Sequence, residues 1–352
     1  LVISVPLTFF GGLGGASRKG ILIKGSNYID TLSRLGTVVF DKTGTLTRGE
    51  FAVEAVHPSD YNEKELLHLA AHVEHYSTHP IAAALREAFP SEATDGCRVE
   101  AVEELSGRGI RARVDGRIVC VGNAKMMGDL GVEWHDCHLV GTIIHVAIDG
   151  RYAGHIVIND RVKADSPQAV ADLKALGVGH TVMLTGDREA VAADVARQTG
   201  IDEYHAQLLP IDKVSHVERL LAAAPRGATL AFVGDGINDA PVLKRADVGI
   251  AMGALGSDAA IEAADVVLMD DKPSKIATAI RIAKRTLGIA RQNVVFSIGV
   301  KVGVLLLATC GLATLWLAVF ADVGVMVLAV LNATRALHPV QRNIPGNKMI
   351  SW

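Results

Sequence analysis

The sequence predicts an α/β protein built on a parallel sheet, with a small α+β domain inserted into it and apolar helices at the two ends. Over residues 160–270, short apolar runs alternate with helix-length segments, which is the pattern of a parallel sheet. Residues 51–158 instead show a helical pair followed by hairpin turns at Asp115-Gly116 and Asp149-Gly150. Both ends of the chain are strongly apolar, and 49% of all residues are hydrophobic.

These patterns divide the chain into consecutive segments. The predicted boundaries are residues 1–25 for the end of a membrane helix and its linker, 26–50 and 159–285 for the two parts of the sheet domain, 51–158 for the inserted domain, 286–335 for two membrane helices and 336–352 for a cytoplasmic tail. The length of 352 residues is sufficient for two or three domains. A net charge of −3 gives no indication of nucleic-acid binding. The four cysteines form no CxxC pair, which favours a reducing, cytosolic setting for the middle of the chain.

The first segment predicts a helix that leaves a membrane on its cytoplasmic side. Residues 1–15 are apolar and rich in glycine, and Arg18, Lys19 and Lys24 follow. Because this stretch starts without an initiator methionine, we expect the chain to be part of a longer protein.

Asp41 stands where a buried strand predicted at Val38-Val39-Phe40 ends. The run Asp41-Lys42-Thr43-Gly44-Thr45-Leu46-Thr47 reads as a tight loop at the carboxyl end of this strand. An aspartate in that position can act as a nucleophile and form an aspartyl-phosphate.

Two later predicted strands also end in polar residues. Val182-Met183-Leu184 leads into Thr185-Gly186-Asp187, and Ala231-Phe232-Val233 leads into Gly234-Asp235-Gly236. Ligands of parallel sheets bind beyond the carboxyl ends of the strands. We therefore expect Asp41, Thr185, Asp187 and Asp235 to converge on one crevice.

Phosphoryl transfer needs a nucleophile, a bound metal and groups that neutralise the transferred charge. Each has a candidate here: Asp41 as nucleophile; Asp41, Asp235 and the main-chain carbonyl of Thr43 as Mg²⁺ ligands; Thr185, Gly186 and Lys213 as phosphate-stabilising groups; Asn238 and Asp239 as residues that hold the loop and the metal.

The run from Asp41 and the run Gly234-Asp235-Gly236-Ile237-Asn238-Asp239-Ala240-Pro241 together resemble the P-type ATPases, ion pumps that cycle through a phosphoenzyme. The resemblance implies a haloacid-dehalogenase-like phosphorylation domain with an inserted nucleotide-binding domain, and ATP and Mg²⁺ as cofactors.

Within the insertion, the segment from Glu74 to Pro80 and Gly107-Arg108-Gly109 resemble the SxHP and GxG elements of the heavy-metal-transporting P-type ATPases. The resemblance implies that Glu74, His79, Gly107 and Gly109 contact the adenine end of ATP. Histidine spacing leaves other interpretations open. A metal could be bound by His72, His75 and His79, or by His135, Cys137 and His138, and the same residues could be solvated surface groups.

The apolar block from residue 293 to 331 divides near Gly311 into two segments of about membrane-spanning length. Basic residues flank both outer ends, which predicts a hairpin with both ends in the cytoplasm. Lys301 and Asp322 lie inside these segments, where charged residues are costly and functional by default.

The pattern of Asn293, Lys301 and Asp322-x-Gly324 resembles the zinc/cadmium/lead branch of the heavy-metal pumps. The resemblance implies that Asp322 binds the transported ion, with Lys301 and Asn293 as its partners. A carboxylate also suits Zn²⁺ better than Cu⁺. We therefore expect ATP-driven export of Zn²⁺, Cd²⁺ or Pb²⁺ by a multi-pass protein of the plasma or inner membrane, with its catalytic domains in the cytoplasm.

The resemblance implies further partners, namely the lipid bilayer and an N-terminal half that carries an actuator domain and a Cys-Pro-Cys helix. Two alternatives remain: a membrane-tethered phosphatase of the same superfamily, and a non-transporting fragment.

Overall fold

The protein is described by a computed structural model that covers residues 2–75, 77, 80–90, 95–135, 137–235, 239–253, 258–312 and 314–337. The chain divides into two units. The first comprises Leu1–Leu46, Ala164–Gly186 and Thr199–Trp352, and the second comprises Thr47–Lys163 and Asp187–Gln198.

The first unit contains a seven-stranded sheet of order β1-β13-β12-β11-β2-β9-β10. Its strands are β1 Ile21–Ile23, β2 Leu35–Asp41, β9 His180–Leu184, β10 Glu203–His205, β11 Thr229–Gly234, β12 Val248–Met252 and β13 Val266–Leu268. All neighbours are parallel except β1, which pairs antiparallel with β13. The strands predicted at 182–184, 231–233 and 248–250 are thus confirmed.

Helices cover this sheet, and its central strands are apolar on both sides. Every residue of β11 and β12 is buried, as expected for parallel strands packed on two faces. In the described part of the unit, the helices before residue 270 are α1 Ser4–Ser17, α2 Asn27–Ser33, α6 Ser166–Ala175, α8 Pro210–Ala223, α9 Ala240–Arg245 and α10 Asp258–Ala263. The helix α7 spans Glu189–Thr199.

The second unit contains a six-stranded antiparallel sheet of order β3-β8-β7-β6-β5-β4. Its strands are β3 Thr47–Pro58, β4 Val99–Leu105, β5 Gly109–Val114, β6 Arg117–Gly122, β7 Thr142–Ile148 and β8 Arg151–Val162. The helices α3 Glu63–Glu74 and α4 Pro80–Ala88 pack on this sheet, and α5 Ala124–Asp129 follows β6. The structure confirms the predicted fold class, but β3 precedes the helical pair and was not predicted.

The last helices are long and apolar. α11 Ser274–Thr309 and the segment Leu315–Leu337 are long and apolar enough to cross a membrane. The second segment consists of α12 Leu315–Val319, a π-helical turn at Phe320–Gly324, α13 Val325–Ala333 and a final 3₁₀ turn. The first half of α11 buries apolar side chains such as Ile276 and Ile280, and the predicted membrane region, residues 286–335, starts within this helix.

Candidate functional site

The ends of three parallel strands bring the predicted catalytic residues of the first unit together. Asp41 is the last residue of β2 and pairs with Leu184 of β9, so Thr185 lies directly beyond that pair. On the other side, Phe40 pairs with Val233 of β11, and Asp235 follows the end of this strand. The predicted convergence of Asp41, Thr185 and Asp235 follows from this register.

Lys213 connects two of the aspartates. It lies in the first turn of α8, and its Nζ donates to Asp41 Oδ1 at 2.5 Å and to Asp239 Oδ1 at 3.1 Å. Asp239 directly precedes α9. All three side chains are at most 13% exposed, so these ion pairs are shielded from water.

Asp235 completes a group of three carboxylates. One oxygen each of Asp41, Asp235 and Asp239 lies within 4.8 Å of the others. Gly44, at φ +69°, lies against the Asp235 carboxylate, and a Cβ at this position would overlap it. Carboxylates this close repel one another unless cations lie between them. Mg²⁺ prefers such hard oxygen ligands. The residues therefore fit a Mg²⁺ ion in addition to the Lys213 ammonium.

The electrostatics of this cluster affect the Asp41 carboxyl group directly. Burial and the Asp239 carboxylate raise the pKa of Asp41 to about 7, while Lys213 acts in the opposite direction. A further cation near Asp41 would favour the ionised carboxylate, the form in which a carboxyl group can act as a nucleophile.

Four predicted residues of this site remain, and the structure describes three of them. Thr43 lies in the turn after Asp41, and Gly186 is exposed just beyond Thr185. Asp187 belongs to the second unit, and Asn238 lies outside the described residues.

The loop after Asp41 also contains Thr45, which was not predicted as a site residue. Thr45 has a buried hydroxyl with no hydrogen-bond partner in the described part of the chain, although the Asp41 run contains it.

A cavity of about 280 Å³ in the second unit is lined by three of the four residues predicted to contact ATP. These are Glu74 at the end of α3, and Gly107 and Gly109 at the turn between β4 and β5. His79 lies outside the described residues. Glu104 and Asn123 line the same cavity and were not predicted; the Asn123 amide donates to the Gly107 carbonyl at 2.9 Å.

Gly107 and Gly109 differ in the space available for a side chain. A Cβ at Gly107, at φ +69°, would meet no atom within 4 Å, so the backbone there is open to the cavity. A Cβ at Gly109 would collide with the Val121 carbonyl of the neighbouring strand. The left-handed backbone therefore favours glycine at position 107, whereas packing against the neighbouring strand requires it at position 109.

Glu74 is 7% exposed at the wall of this cavity. Burial raises the pKa of its carboxyl to about 7, although Ser77 and Arg86 lower it. A carboxyl group with this pKa can either donate or accept a hydrogen bond near neutral pH.

Lys301 of α11 and Asp322 of the second apolar segment form an ion pair. Lys301 Nζ lies 2.9 Å from Asp322 Oδ1, and both side chains point away from the described protein interior, at 55% and 74% exposure. Asp322 lies in the π-helical turn, a distortion often found at functional sites.

Asn293 lies apart from this pair. Its side-chain amide donates to Ala329 O at 3.0 Å and to Thr8 Oγ1 at 3.3 Å, and its Oδ1 accepts from Asn332. Eight residues along a helix correspond to about 12 Å, so Lys301 is more than two turns away. Among its described contacts, Asn293 joins α1, α11 and α13.

Among the described residues, the potential metal ligands form groups that differ from the two sets suggested by histidine spacing. His72 groups with His68, Asp95 and Cys97, and Cys137 groups with His57 and His155. His75 is exposed at the end of α3.

Residues 35–247 match the family model of the haloacid dehalogenase-like hydrolases. The chain is 56% identical over 336 residues to a zinc-transporting ATPase of Synechocystis sp., covering 95% of this chain and 46% of that protein. It is 53% identical over 339 residues to a cadmium, zinc and cobalt-transporting ATPase of Bacillus subtilis, covering 96% and 48%. The chain thus spans about half the length of the curated relatives it matches.

Two solved structures that are similar to this chain are also those of ATPases. A zinc-transporting PIB-type ATPase in its E2.Pi state superimposes with a TM-score of 0.85 at 39% identity, covering 96% of this chain and 55% of that one. The catalytic domain of a CPx-ATPase superimposes with a TM-score of 0.61 at 30% identity, covering 75% of this chain and 97% of the domain.

Proposed function

The chain belongs to the haloacid dehalogenase-like hydrolases and, within them, to the heavy-metal-transporting P-type ATPases, and on this premise we propose that it carries the phosphorylation, nucleotide-binding and ion-binding parts of a pump that exports Zn²⁺, Cd²⁺ or Pb²⁺. The observation that carries the proposal is the Asp41–Lys213–Asp239 cluster at the ends of the parallel strands.

In the proposed reaction, an Asp41 carboxylate oxygen attacks the γ-phosphorus of ATP. The bond from that phosphorus to the bridging oxygen breaks, ADP leaves, and an aspartyl-phosphate remains. Lys213 already donates to Asp41 and is placed to neutralise charge on the transferred group, with Thr185 and the Gly186 amide as further donors. Water later attacks the phosphorus of the aspartyl-phosphate, the bond from phosphorus to the Asp41 oxygen breaks, and inorganic phosphate leaves while the Asp41 carboxylate is restored.

Asp41, Asp235 and the Thr43 carbonyl would hold Mg²⁺, and the proximity of Asp239 supports a role in fixing this site. When bound, the ion neutralises phosphate charge and favours the ionised form of Asp41. Asn238 and Asp187 remain proposed contributors to the same loop region.

ATP is proposed to bind in the cavity of the second unit, with its adenine end at Glu74, His79, Gly107 and Gly109. Residues 51–158 then form the nucleotide-binding domain, and 26–50 with 159–285 form the phosphorylation domain. Both are proposed to lie in the cytoplasm.

The transported ion is proposed to bind at Asp322, with Lys301 as a built-in counter-ion. The 2.9 Å ion pair at a π-helical turn supports this assignment. Asn293 supports the site at a distance, by holding α11 against α1 and α13.

The test is phosphorylation of the full-length gene product by ATP labelled at the γ-phosphate. Asp41→Asn should abolish incorporation of a label that hydroxylamine releases, as it does from an acyl phosphate. Asp30→Asn is the matched control, because Asp30 is an aspartate of the same unit that pairs with Arg34 on the surface of α2. A hydroxylamine-sensitive phosphoenzyme in Asp41→Asn would refute the assignment.

A further inference from the structure

We propose that His68, His72, Asp95 and Cys97 form a binding site for a divalent ion of the Zn²⁺ class in the second unit, separate from the catalytic and membrane sites and independent of the proposed function. One donor atom from each of the four residues lies within 4.8 Å of the others. The set combines two imidazoles, a carboxylate and a thiol, a mixture that suits borderline-soft ions.

The distances match those of a tetrahedral centre. Zn–N bonds of about 2.0 Å place neighbouring donor atoms roughly 3.3 Å apart. Here His72 Nε2 and His68 Nε2 are 3.0 Å apart, Asp95 Oδ2 lies 2.8 and 2.9 Å from them, and Cys97 Sγ lies 3.3 Å from His68 Nε2. Only small movements would be needed to accept an ion among them.

Local structure holds the ligands in place. His68 and His72 are four residues apart on α3 and therefore share one face of the helix. The Asn62 side chain caps the start of this helix by accepting from the Glu65 amide. Asp95 accepts from the Cys97 amide through Oδ1 at 3.1 Å, which leaves Oδ2 directed at the two imidazoles.

A hydrogen-bond network alone explains this geometry poorly. A neutral imidazole carries one N–H, so Nε2 of both histidines can donate to Asp95 only if two N–H bonds lie side by side. If Nε2 of one histidine instead accepts from Nε2 of the other, the accepting nitrogen has no proton to donate to Asp95 Oδ2, and two acceptor atoms then lie within 2.9 Å of each other. A cation among these atoms would be approached by lone pairs from all sides, and His72, at 3% exposure, is shielded from water that could relieve the conflict.

The site would connect two parts of the second unit. α3 carries His68 and His72 and ends at Glu74, whereas Asp95 and Cys97 precede β4, which ends at Leu105. Glu74 and Leu105 both line the cavity described above. A bound ion would thus fix the helix relative to the strand and steady one side of this cavity.

The test uses Co²⁺ as a spectroscopic substitute for Zn²⁺ on the purified, metal-free chain in detergent. A thiolate ligand gives a charge-transfer band in the near ultraviolet, and tetrahedral coordination gives intense visible bands. Cys97→Ser should abolish the charge-transfer band, and His72→Gln should weaken Zn²⁺ competition at least about tenfold, the lower end of the loss seen for outer-shell partners.

Two control variants distinguish ion binding at this site from ion binding at the Cys137 group and at Asp322. Cys137 belongs to the second group of donors, with His57 and His155, so Cys137→Ser should retain the band. Asp322→Ala, which removes the membrane carboxylate, should retain it too. In the Asp322→Ala background, which lacks the proposed transport site, Zn²⁺ should also raise the unfolding temperature with or without Cys137→Ser, but not with Cys97→Ser. Absence of the band in wild type, or its survival in Cys97→Ser, would overturn the proposal.

Discussion

Asp41 and Glu74 are two buried carboxyl groups with the same outcome and different neighbours. Lys213 lies between Asp41 and Asp239 and lowers the pKa of Asp41, but burial and the Asp239 carboxylate outweigh it and raise that pKa to about 7. Burial likewise raises the pKa of Glu74 to about 7, against the opposing effects of Ser77 and Arg86. Both carboxyl groups therefore titrate near neutral pH, one in the cluster of carboxylates and one in the cavity wall.

Glu74→Gln should therefore change how stability depends on pH. In the wild type, the unfolded chain loses the proton of this carboxyl near pH 4.5, whereas the folded protein keeps it until about pH 7. The free energy of unfolding should fall between these values as pH rises, by at most about 3 kcal/mol, and then level off. The glutamine variant lacks this contribution, so its curve should be flatter over the same window.

The measurement is urea unfolding of both proteins, followed by a signal from the second unit, from pH 4.5 to 8. Glu87→Gln on the exposed face of α4 is the control and should run parallel to the wild type. Parallel curves for wild type and Glu74→Gln would show that Glu74 is not held in its neutral form by burial.

Among the elements, α1 and α11 pack through small residues. A Cβ on Gly12 of α1 would lie 2.8 Å from Thr286 Cγ2 and 3.1 Å from Thr286 Cβ of α11. Thr286 is buried, and its hydroxyl donates to Ile282 O within its own helix. Such close contact between backbone and side chain is typical of helices that associate in membranes.

Two glycine-to-alanine substitutions should therefore have opposite effects. Gly12→Ala should lower the free energy of unfolding by about 1–3 kcal/mol, because the added methyl group overpacks the contact with Thr286. Gly288→Ala, on α11, should raise it by about 0.5–1 kcal/mol, since a Cβ there meets no described atom within 4 Å and alanine favours the helix. Thermal unfolding in detergent would measure both. Equal stability of the two variants would contradict the packing of α1 on α11.

The sequence was most informative where a local run or a general rule of folding carries the signal. Short runs predicted the strand end at Asp41 and the loops at Thr185 and Asp235, and their convergence followed because parallel strands end at one edge of the sheet. The Lys301–Asp322 pair followed from two opposite charges inside apolar segments. Contacts that no such run or rule indicates could not be predicted. Histidine spacing on α3 gave no indication of Asp95 and Cys97, because those residues reach the helix only through the fold of the second unit.

The face of a helix on which a residue lies was also difficult to predict from the sequence. Asn293 shares a helix with Lys301 and was predicted to share its site, but a face is assigned only when the packing partners are known. Likewise, the pattern of α11 did not show that its apolar start is buried in the sheet unit while its later part is exposed.

At the scale of the whole first unit, one helix connects the seven-stranded sheet with the Lys301–Asp322 ion pair. α11 is 36 residues long, or about 54 Å, and carries both Ile276, which is buried against the sheet unit, and Lys301. A continuous helix transmits displacement along its axis better than a flexible linker does. We infer that movement at the phosphorylation site and at Asp322 can be coupled through this element.

If Asp322 binds the cargo, Asp322→Ala should abolish the stimulation of ATP hydrolysis by Zn²⁺ and Cd²⁺ in the full-length gene product. Binding of ATP should persist, since the proposed pocket lies in the other unit. Cys310→Ser is the matched control. Cys310 is an exposed thiol at the end of α11 that could itself attract soft ions, and its loss should leave stimulation intact. Stimulation that survives in Asp322→Ala but disappears in Cys310→Ser would place the cargo at the thiol and reduce the Lys301–Asp322 pair to a structural contact.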